Sequence, residues 1–569
     1  MINFSSLRYI FRAVGGFTIL CDAVAVAAVV TALASPNSGW AAALLAVSTL
    51  LVLGLTASLL VSVRREKGAV PQLIGTASTA RILLVLAALD IDLADGATWW
   101  AVAAGALICL MIVAESAIRR PVRAAVPQSA NIPGWDVPLP SQALANLLFA
   151  VDTLGMVLVV ASGFLDVTQV PATLAAVVAI VLAVVITAQA ARYLIRRNRF
   201  EKQLPKILKA MKPSFAFHWQ APAGTAYQAA MWLPYLDRIG VPYFVLVRTP
   251  ANFAEVTKLT SAPVILRVRL EDLDRILCPS LKAVFYANTA VRNSHMIRFP
   301  QLTHIQLNHG DSDKIASVSP TFRQYDKNFV AGQAAIDRFA KHGVATRADQ
   351  FEMVSRPQLE NVARAVGPIG SVAHPTVLYS PTWSGFYEDS DYSSLPAGPA
   401  IVEAMLARGC TVIFRPHPYA RRHKGNADAC DRIIALLEAD AKDTGREHVF
   451  GALAEETMTV ADCFNASDAM VSDVSSVVSD FLSSGKPFAM AAVSAHGEAF
   501  VEEFPMAAAA YVFDVQDGDA VGIGALLEDM LGADPKAPVR AAMRDYYLTD
   551  TPTDQIVDRF VRIARKYVA

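Results

Sequence analysis

The sequence is poor in cysteine and in charge, and neither sign of charge dominates. Only 6 of the 569 residues are cysteine, scattered without C-x-x-C spacing. This excludes a disulfide scaffold and a cysteine-rich zinc site, and is typical of a reducing compartment. Charged residues make up 18% and the formal net charge is −1, which excludes a dedicated nucleic-acid binder with a strongly basic domain. Hydrophobic residues make up 54%, too many for a disordered or wholly soluble chain.

The long apolar runs lie almost entirely in residues 1–200. Five of them are long enough, or nearly so, to cross a bilayer as helices, and a sixth is weaker because Arg81 interrupts it. We therefore predict a transmembrane domain of about six helices in residues 1–200. In chain order the predicted spans are Phe17–Ala34, Ala41–Val63, Leu73–Leu93, Trp99–Ile118, Ala143–Leu165 and Ala172–Ala191.

Basic residues flank the predicted spans on alternating sides. The connections at 35–40, 90–98 and 166–171 carry no Lys or Arg, whereas the others are basic, through residues such as Arg8, Arg12, Lys67, Arg119 and Arg192. The positive-inside rule then places the basic connections in the cytoplasm. The pattern predicts a multi-pass protein of the cytoplasmic membrane, with everything after residue 200 facing the cytoplasm.

From Pro205 onward the pattern changes to short β-branched or aromatic runs that alternate with amphipathic stretches. Strands that alternate with helices indicate parallel sheets covered on both faces. Two series of strands, divided near Gly367–Ala373, predict two Rossmann-like domains at 205–367 and 373–569 with a cleft between them. The predicted strands of the first series are Ser214–His218, Tyr243–Arg248, Pro263–Val268, Ala283–Ala287, Thr303–Asn308, Asn328–Val330 and Phe351–Ser355, and those of the second are Thr376–Ser380, Thr411–Arg415, Ala469–Ser472, Pro487–Ala492 and Ala510–Phe513. Ligands of such sheets bind at the carboxyl ends of the strands, so the residues that follow each strand are the candidates for a site.

The first candidate segment follows the strand predicted to end at Asn308. It holds His309, a natural general base near neutral pH, then Gly310, which permits close approach by a ligand, and Lys314, which suits a phosphate. Asp311-Ser312-Asp313 also spells D-x-D, a weak metal signal that Asp389-Ser390-Asp391 repeats. A polar loop without a catalytic role is the alternative.

Two candidate segments follow strands of the second series. Thr382 comes after the strand that ends at Ser380. Arg415, His417 and Pro418 come after the next strand, where Arg415 offers phosphate a planar fork of donors and two prolines fix the backbone around His417.

A last candidate segment joins a buried strand to a helix. Asp473 is the predicted cap of that helix, and Ser475 and Ser476 are predicted to lie in its first turn. Free amides and the helix dipole favour an anion there. By itself the segment also fits an ordinary serine-rich helix cap.

Together these segments resemble the CDP-glycerol glycerophosphotransferase family, membrane-associated enzymes that build teichoic-acid-type polyol-phosphate polymers. The resemblance covers roughly residues 210–550, and four motifs occur in the family's order. The sequence departs from the family at Ser472, at Val474 and at Ser355–Glu360. The matching residues are His309, Gly310 and Lys314 for H-G-x-x-x-K, Tyr379, Pro381, Thr382 and Trp383 for Y-x-P-T-W, Arg415, His417 and Pro418 for R-x-H-P, and Asp473, Ser475, Ser476, Asp480 and Phe481 for D-Y-S-S-x-x-x-D-F.

The resemblance implies a GT-B fold and transfer of a polyol phosphate, with glycerol phosphate the first choice, from a CDP-activated donor to a hydroxyl. That hydroxyl belongs to a lipid-linked or polymeric acceptor, and CMP leaves. By the same resemblance no metal or other cofactor is required. It also implies roles for the matching residues: His309 and His417 are catalytic, Arg415, Ser475, Ser476, Asp473, Lys314 and Thr382 bind donor and phosphate, and Gly310 and Pro418 form turns.

The expected partners are the CDP-polyol, the acceptor and membrane lipid, without nucleic acid, and a homo-oligomer stays open. Two other functions also stay open. One is a GT-B glycosyltransferase that uses a nucleotide sugar in surface polysaccharide synthesis, and the other is a non-catalytic membrane scaffold. A transporter is disfavoured because the spans contain few ionisable residues.

Overall fold

The computed structural model describes residues 16–65, 73–96, 98–165, 168–385 and 391–569. The chain divides into two compact units, Met1–Leu204 and Pro205–Ala569. All six cysteines are free thiols. The predicted basic flanks at Arg8, Arg12 and Lys67, and residues 389–390 of the second D-x-D, lie outside the described residues.

The first unit is helical. Within the described residues, five helices are long and apolar enough to cross a membrane, which indicates a membrane protein. The helices are α1 (Gly16–Ala34), α2 (Gly39–Arg65), α3 (Ser78–Ala94), α4 (Trp99–Ala124), α5 (Gln142–Leu165) and α6 (Val170–Met211), with a short strand β1 (Ser129–Ala130) after α4.

Helix α3 corresponds to the weak predicted span and is not among those five. It has 17 residues and packs against α1, α2, α4 and α5. Arg81, the charged residue that interrupts the apolar run of α3, forms an ion pair inside the unit. It donates to both carboxylate oxygens of Glu115 at 3.0 and 2.8 Å. Both side chains are fully buried, so α3 is an interior helix of the unit.

The second unit begins with a parallel sheet. Its strands pair in the order β4-β3-β2-β5-β6-β7-β8, all parallel. Every strand of the predicted first series is present, within one or two residues at the ends. The strands are β2 (Phe215–Trp219), β3 (Tyr243–Val247), β4 (Val264–Leu266), β5 (Ala283–Tyr286), β6 (Thr303–Gln306), β7 (Lys327–Val330) and β8 (Phe351–Met353).

A second parallel sheet follows in the order β10-β9-β11-β12-β13-β14, in which only β14 runs antiparallel. Two parallel sheets in series confirm the predicted fold class, a multi-span helical region followed by a GT-B-like α/β region of two halves. The strands are β9 (Thr376–Ser380), β10 (Thr411–Phe414), β11 (Ala469–Ser472), β12 (Phe488–Ala492), β13 (Tyr511–Gln516) and β14 (Asp519–Val521).

Helices cover the faces of both sheets. Around the first sheet they are α7 (Tyr227–Ala230), α8 (Leu233–Asp237), α9 (Pro250–Thr257), α10 (Asn293–Ile297) and α11 (Gln333–Lys341). Those that follow are α12 (Gly398–Ala407), α13 (Lys424–Thr444), α14 (Val460–Ala466), α15 (Ser476–Phe481), α16 (Gly497–Glu503), α17 (Ile523–Leu531), α18 (Ala537–Leu548) and α19 (Ile556–Val568).

Helix α19 packs on the first half, although the predicted boundary at 373–569 assigned it to the second. Its Phe560 ring lies 5.5 Å from Trp232 and 6.3 Å from Phe329, centroid to centroid. Its Arg565 donates to the carbonyl of Ile239 at 2.9 Å. The chain therefore crosses between the halves twice, once near residue 370 and once before α19.

Candidate active site

The four candidate segments lie at the carboxyl ends of β6, β9, β10 and β11. The first segment belongs to the first half and the other three to the second. A direct contact joins two of them, because a Cβ added to Gly310 would lie 2.7 Å from the hydroxyl oxygen of Ser476. The two halves thus meet along the strand ends where open parallel sheets bind ligands.

His309 carries a free ring nitrogen. Its Nδ1 lies 3.1 Å from the carbonyl oxygen of Ala287, and a carbonyl can only accept, so Nδ1 holds the proton. Among the described residues Nε2 makes no hydrogen bond. Desolvation by the surrounding protein lowers the pKa of His309 below its ordinary value, and the charge of Arg356 adds to this shift. At neutral pH His309 is an uncharged imidazole with a basic nitrogen.

His417 has the opposite tautomer. Its Nδ1 accepts the backbone N–H of Tyr419 at 3.1 Å, so the proton of the neutral ring is on Nε2. Burial, then the charges of Lys314 and His309, lower the pKa of His417 to about 4. Trp383 stacks on this ring with centroids 6.0 Å apart. His417 is thus an oriented hydrogen-bond donor close to His309.

Lys314 reaches from the first half to the second. Its Nζ donates to the hydroxyl oxygen of Thr382 at 3.2 Å, and the amide of Thr382 donates to Oδ2 of Asp473 at 2.6 Å. Burial lowers the pKa of Lys314 to about 8, against the opposing effect of Asp473 and Asp391. The site therefore holds one cation whose charge is sensitive to mildly alkaline pH.

Asp473 is buried behind Thr382 and does not cap the helix. Burial raises the pKa of Asp473 to about 6, although hydrogen bonds from Ser394 and Thr382 oppose the rise. Ser475 is the N-cap instead, and its hydroxyl accepts the amide of Val477 at 3.4 Å. The prediction that Asp473 is the cap is therefore wrong, because its carboxylate already binds the Thr382 amide.

Arg415 is anchored through one guanidinium nitrogen. Its Nη1 donates to the carbonyls of Ala454 and Met458, the latter at 2.8 Å. Pro418 lies in a turn closed by a hydrogen bond from the amide of Ala420 to the carbonyl of His417 at 2.8 Å. Both residues thus position the His417 loop: Arg415 ties it to segment 453–458, and Pro418 shapes its turn.

The D-x-D carboxylates of the first segment are engaged by protein donors. Arg338 binds Asp311 at 2.6 Å and Asp313 at 3.0 Å, while Tyr547 and the amide of Met506 donate to Asp313. These contacts join the two halves. Within the described residues, no group of three or more His, Cys, Asp or Glu side chains is arranged to hold a metal ion.

A further ion pair at the cleft was not among the predicted site residues. Arg356 donates through two nitrogens to the two oxygens of Asp480, each at 2.8 Å, and both side chains are largely buried. Arg356 lies in the segment where the sequence departs from the family motif, and Asp480 lies in a matching motif. The sequence offered a signal for Asp480, because this residue lies one helical turn after the paired serines. It offered none for the partner Arg356, which is 124 residues away in the chain.

We expect Gly310→Ala to lower transfer activity, because the new methyl group would lie 2.7–2.8 Å from Ser476 and push the halves apart. The double variant Gly310→Ala with Ser476→Gly removes the clashing atoms and should recover part of the loss. Gly425→Ala is the matched control, since nothing lies within 4 Å of its added Cβ. Equal activity of Gly310→Ala and the unmodified protein would contradict close contact at this point.

Comparison with known proteins gives one family match. Residues 347–496 match the family described as CDP-Glycerol:Poly(glycerophosphate) glycerophosphotransferase, which confirms the resemblance read from the motifs. The match includes Thr382, Arg415, His417 and the 473–476 segment, whereas His309 and Lys314 precede it. No curated protein matches the sequence.

Several solved structures are similar to about two thirds of this chain. The wall teichoic acid polymerase TagF is 12% identical with a TM-score of 0.39, covering 66% of this chain and 95% of its own. HepE from Anabaena, solved with UDP and glucose, is 14% identical with a TM-score of 0.37, covering 62% and 99%. MnaA from S. aureus, solved with UDP, is 11% identical with a TM-score of 0.40, covering 62% and 96%.

Proposed function

We propose that this membrane protein transfers a polyol phosphate, with glycerol phosphate the first choice, from a CDP-activated donor to a hydroxyl of a lipid-linked or polymeric acceptor. CMP is the released product. The family match over residues 347–496 supports the transferase class and the donor. The site faces the cytoplasm in this proposal, which rests on the alternation of basic connections in the sequence.

The observation that carries the proposal is the pair of complementary histidine tautomers. His309 offers a free Nε2 because its Nδ1 proton is bound to the Ala287 carbonyl. His417 offers an Nε2–H because its Nδ1 accepts from Tyr419. His309 can take the proton of an attacking hydroxyl, and His417 can donate a hydrogen bond to a pyrophosphate oxygen.

In the proposed step the acceptor hydroxyl oxygen attacks the β-phosphorus of the CDP-polyol. Its proton moves to Nε2 of His309, the new P–O bond forms, and the bond from the β-phosphorus to the bridging oxygen breaks. CMP leaves with that oxygen. Phosphoryl transfer depends mainly on positioning and charge stabilisation, and here Lys314, the Nε2–H of His417 and the hydroxyl of Ser476 supply both without a cofactor.

The charge of Lys314 predicts an alkaline limit to activity. A lysine with a pKa of about 8 is charged below that pH and neutral above it, so transfer should fall as the pH rises through about 8. Lys314→Arg keeps the charge at higher pH and should shift this limb upward, measured as CMP release from pH 6 to 10. Lys258→Arg is the control, because Lys258 is exposed. If the fall in CMP release occurs at the same pH in Lys314→Arg as in the unmodified protein, a group other than Lys314 causes it.

A substrate panel tests the proposed reaction. The purified protein in lipid nanodiscs is incubated with CDP-glycerol, CDP-ribitol and nucleotide sugars, and the released nucleotide is identified. Release of CMP that depends on the acceptor and on His309 is the expected result. Release of a nucleoside diphosphate from a sugar donor would favour the glycosyltransferase alternative, and no release with any donor would favour a scaffold.

A further inference from the structure

Three ionisable side chains meet inside the helical first unit. Arg81 lies on α3, Glu115 on α4 and Asp152 on α5, and these three helices pack against one another. All three side chains are fully buried, and α4 and α5 are long and apolar enough to cross a membrane. Ionisable groups are costly in such surroundings, and where they occur they usually mark a function. We call these three residues the buried triad.

Glu115 is the charged carboxylate of the buried triad. Arg81 donates to both of its oxygens, and the amide of Gly75 donates to Oε2 at 2.7 Å. The guanidinium of Arg81 also lies over the ring of Phe149, 4.7 Å from the centroid. Since an ionised carboxylate only accepts, the donors that converge on Glu115 identify it as the anion. Arg81 and Glu115 therefore form an ion pair whose charges cancel.

Asp152 has no such donors. Within the part of the chain that the structure describes, neither oxygen of its carboxyl group accepts a hydrogen bond. The charged groups that act on it are Glu115 and Arg81, and its side chain is in hydrogen-bond contact with that of Glu115. An ionised Asp152 would be a second carboxylate beside a single guanidinium. A fully buried carboxylate without a donor or a counter-ion of its own is among the most costly groups in a folded protein.

One proton removes this cost. A protonated carboxyl group has an O–H that can donate, and Glu115 is the acceptor that it contacts. Two carboxyl groups that share a site hold one proton between them, and because Glu115 already receives donors from Arg81 and Gly75, the proton is on Asp152. A metal ion would need further ligands, and among the described residues no group of three or more His, Cys, Asp or Glu side chains is arranged to hold one.

We propose that the buried triad is a proton-binding site of the first unit, in which Asp152 carries the proton and shares it with Glu115. The inference does not depend on the proposed transfer reaction, because all three residues belong to the first unit. Loss of the proton would leave two carboxylates against one arginine between packed helices. Release of the proton is therefore linked to separation of α3, α4 and α5, and the first unit responds to protonation in addition to anchoring the protein.

The test is infrared spectroscopy of the full-length protein near neutral pH, in nanodiscs of ether-linked lipid, which has no ester carbonyl. A protonated carboxyl group gives a C=O band separate from the carboxylate bands, and a heavy carbon isotope in the side-chain carboxyl of aspartate should shift it. Asp152→Asn should remove the band, while its amide N–H keeps the contact with Glu115. Asp92→Asn is the matched control, because buried Asp92 already accepts from Ser162 and Gln169, each at 3.2 Å.

Two further variants test where the proton goes. Glu115→Gln removes the carboxylate that balances Arg81, so Asp152 should ionise and the band should disappear. Arg81→Gln should instead add a glutamic acid band to the aspartic acid band, because the arginine no longer stabilises an anion. A missing band in the unmodified protein, or a band that persists in Asp152→Asn, would overturn the proton site. A band that persists in Glu115→Gln would overturn the shared proton.

Hydrogen exchange tests the link to helix packing. As the pH is raised until the band is lost, exchange of peptides from α3, α4 and α5 should become faster, after correction for the intrinsic pH dependence of exchange. Asp152→Asn has no proton to lose and should show no such rise. Loss of the band without faster exchange, or an equal rise in Asp152→Asn, would reject the link. CMP release enters neither measurement, so failure of the proposed reaction and failure of this inference are distinguishable.

Discussion

His309→Asn is expected to lower turnover by ~10²–10⁴ while donor binding survives. Asparagine is the informative replacement, because its side-chain N–H can still reach the carbonyl of Ala287 that now accepts from Nδ1. The basic nitrogen is lost and the loop contact is kept. The donor should still bind, because the proposed function places it against the motifs of the second half that carry Thr382, His417 and Ser476, all of which lie within the matched residues 347–496.

The measurement is steady-state CMP release together with equilibrium binding of the CDP-polyol. His417→Ala provides the contrast: it should weaken both turnover and donor binding, because its Nε2–H is assigned to the pyrophosphate. The exposed His374→Ala should change neither. Lost donor affinity in the His309 variant with normal affinity in the His417 variant would reverse the two assignments, and normal turnover in both would exclude histidine catalysis.

Arg356→Ala is expected to destabilise the second unit by about 3–5 kcal/mol, the usual result of removing one partner from a buried ion pair. The partner Asp480 would keep a charge in a largely buried position without the two donors it now has. Since Arg356 belongs to the first half and Asp480 to the helix that begins at Ser476, separation of the halves at the cleft should accompany the loss.

Denaturant unfolding of the solubilised protein measures this effect. The half-exposed pair Arg298–Asp274 is the matched control, and Arg298→Ala should cost no more than about 1 kcal/mol. The double variant Arg356→Met with Asp480→Leu should be more stable than either single charge removal, because no unpaired buried charge remains. A cost for Arg356→Ala as small as that of the control would mean that the pair is solvated in solution.

Much of the fold follows from local sequence signals. Buried parallel strands are short apolar runs bounded by polar residues, and all twelve predicted strands are present. One strand of the second sheet was missed, Asp519–Val521, which pairs with Tyr511–Gln516 through the turn at Asp517-Gly518, and both turn residues have positive φ. An Asp-Gly dipeptide between two such runs is a standard hairpin signal, so this strand was also within reach of the sequence.

The site was predictable only as a set of residues, not as a set of contacts. Spacing located His309 and His417, but the tautomers depend on the carbonyl of Ala287 and the amide of Tyr419, which no motif identifies. Arg415 has the residue type for phosphate, yet its Nη1 binds main-chain carbonyls of a remote segment. Long-range packing decides such partners, and local pattern does not carry that information.

The return of helix α19 to the first half has a consequence for biosynthesis. Phe560 of this helix packs against Trp232 and Phe329. The hydrophobic core that begins with β2 therefore stays incomplete until the ribosome has added more than 300 further residues. The second half contains its own sheet and can fold before that point. The first half is therefore completed last, and in the meantime its unfinished apolar face is exposed to chaperones and proteases.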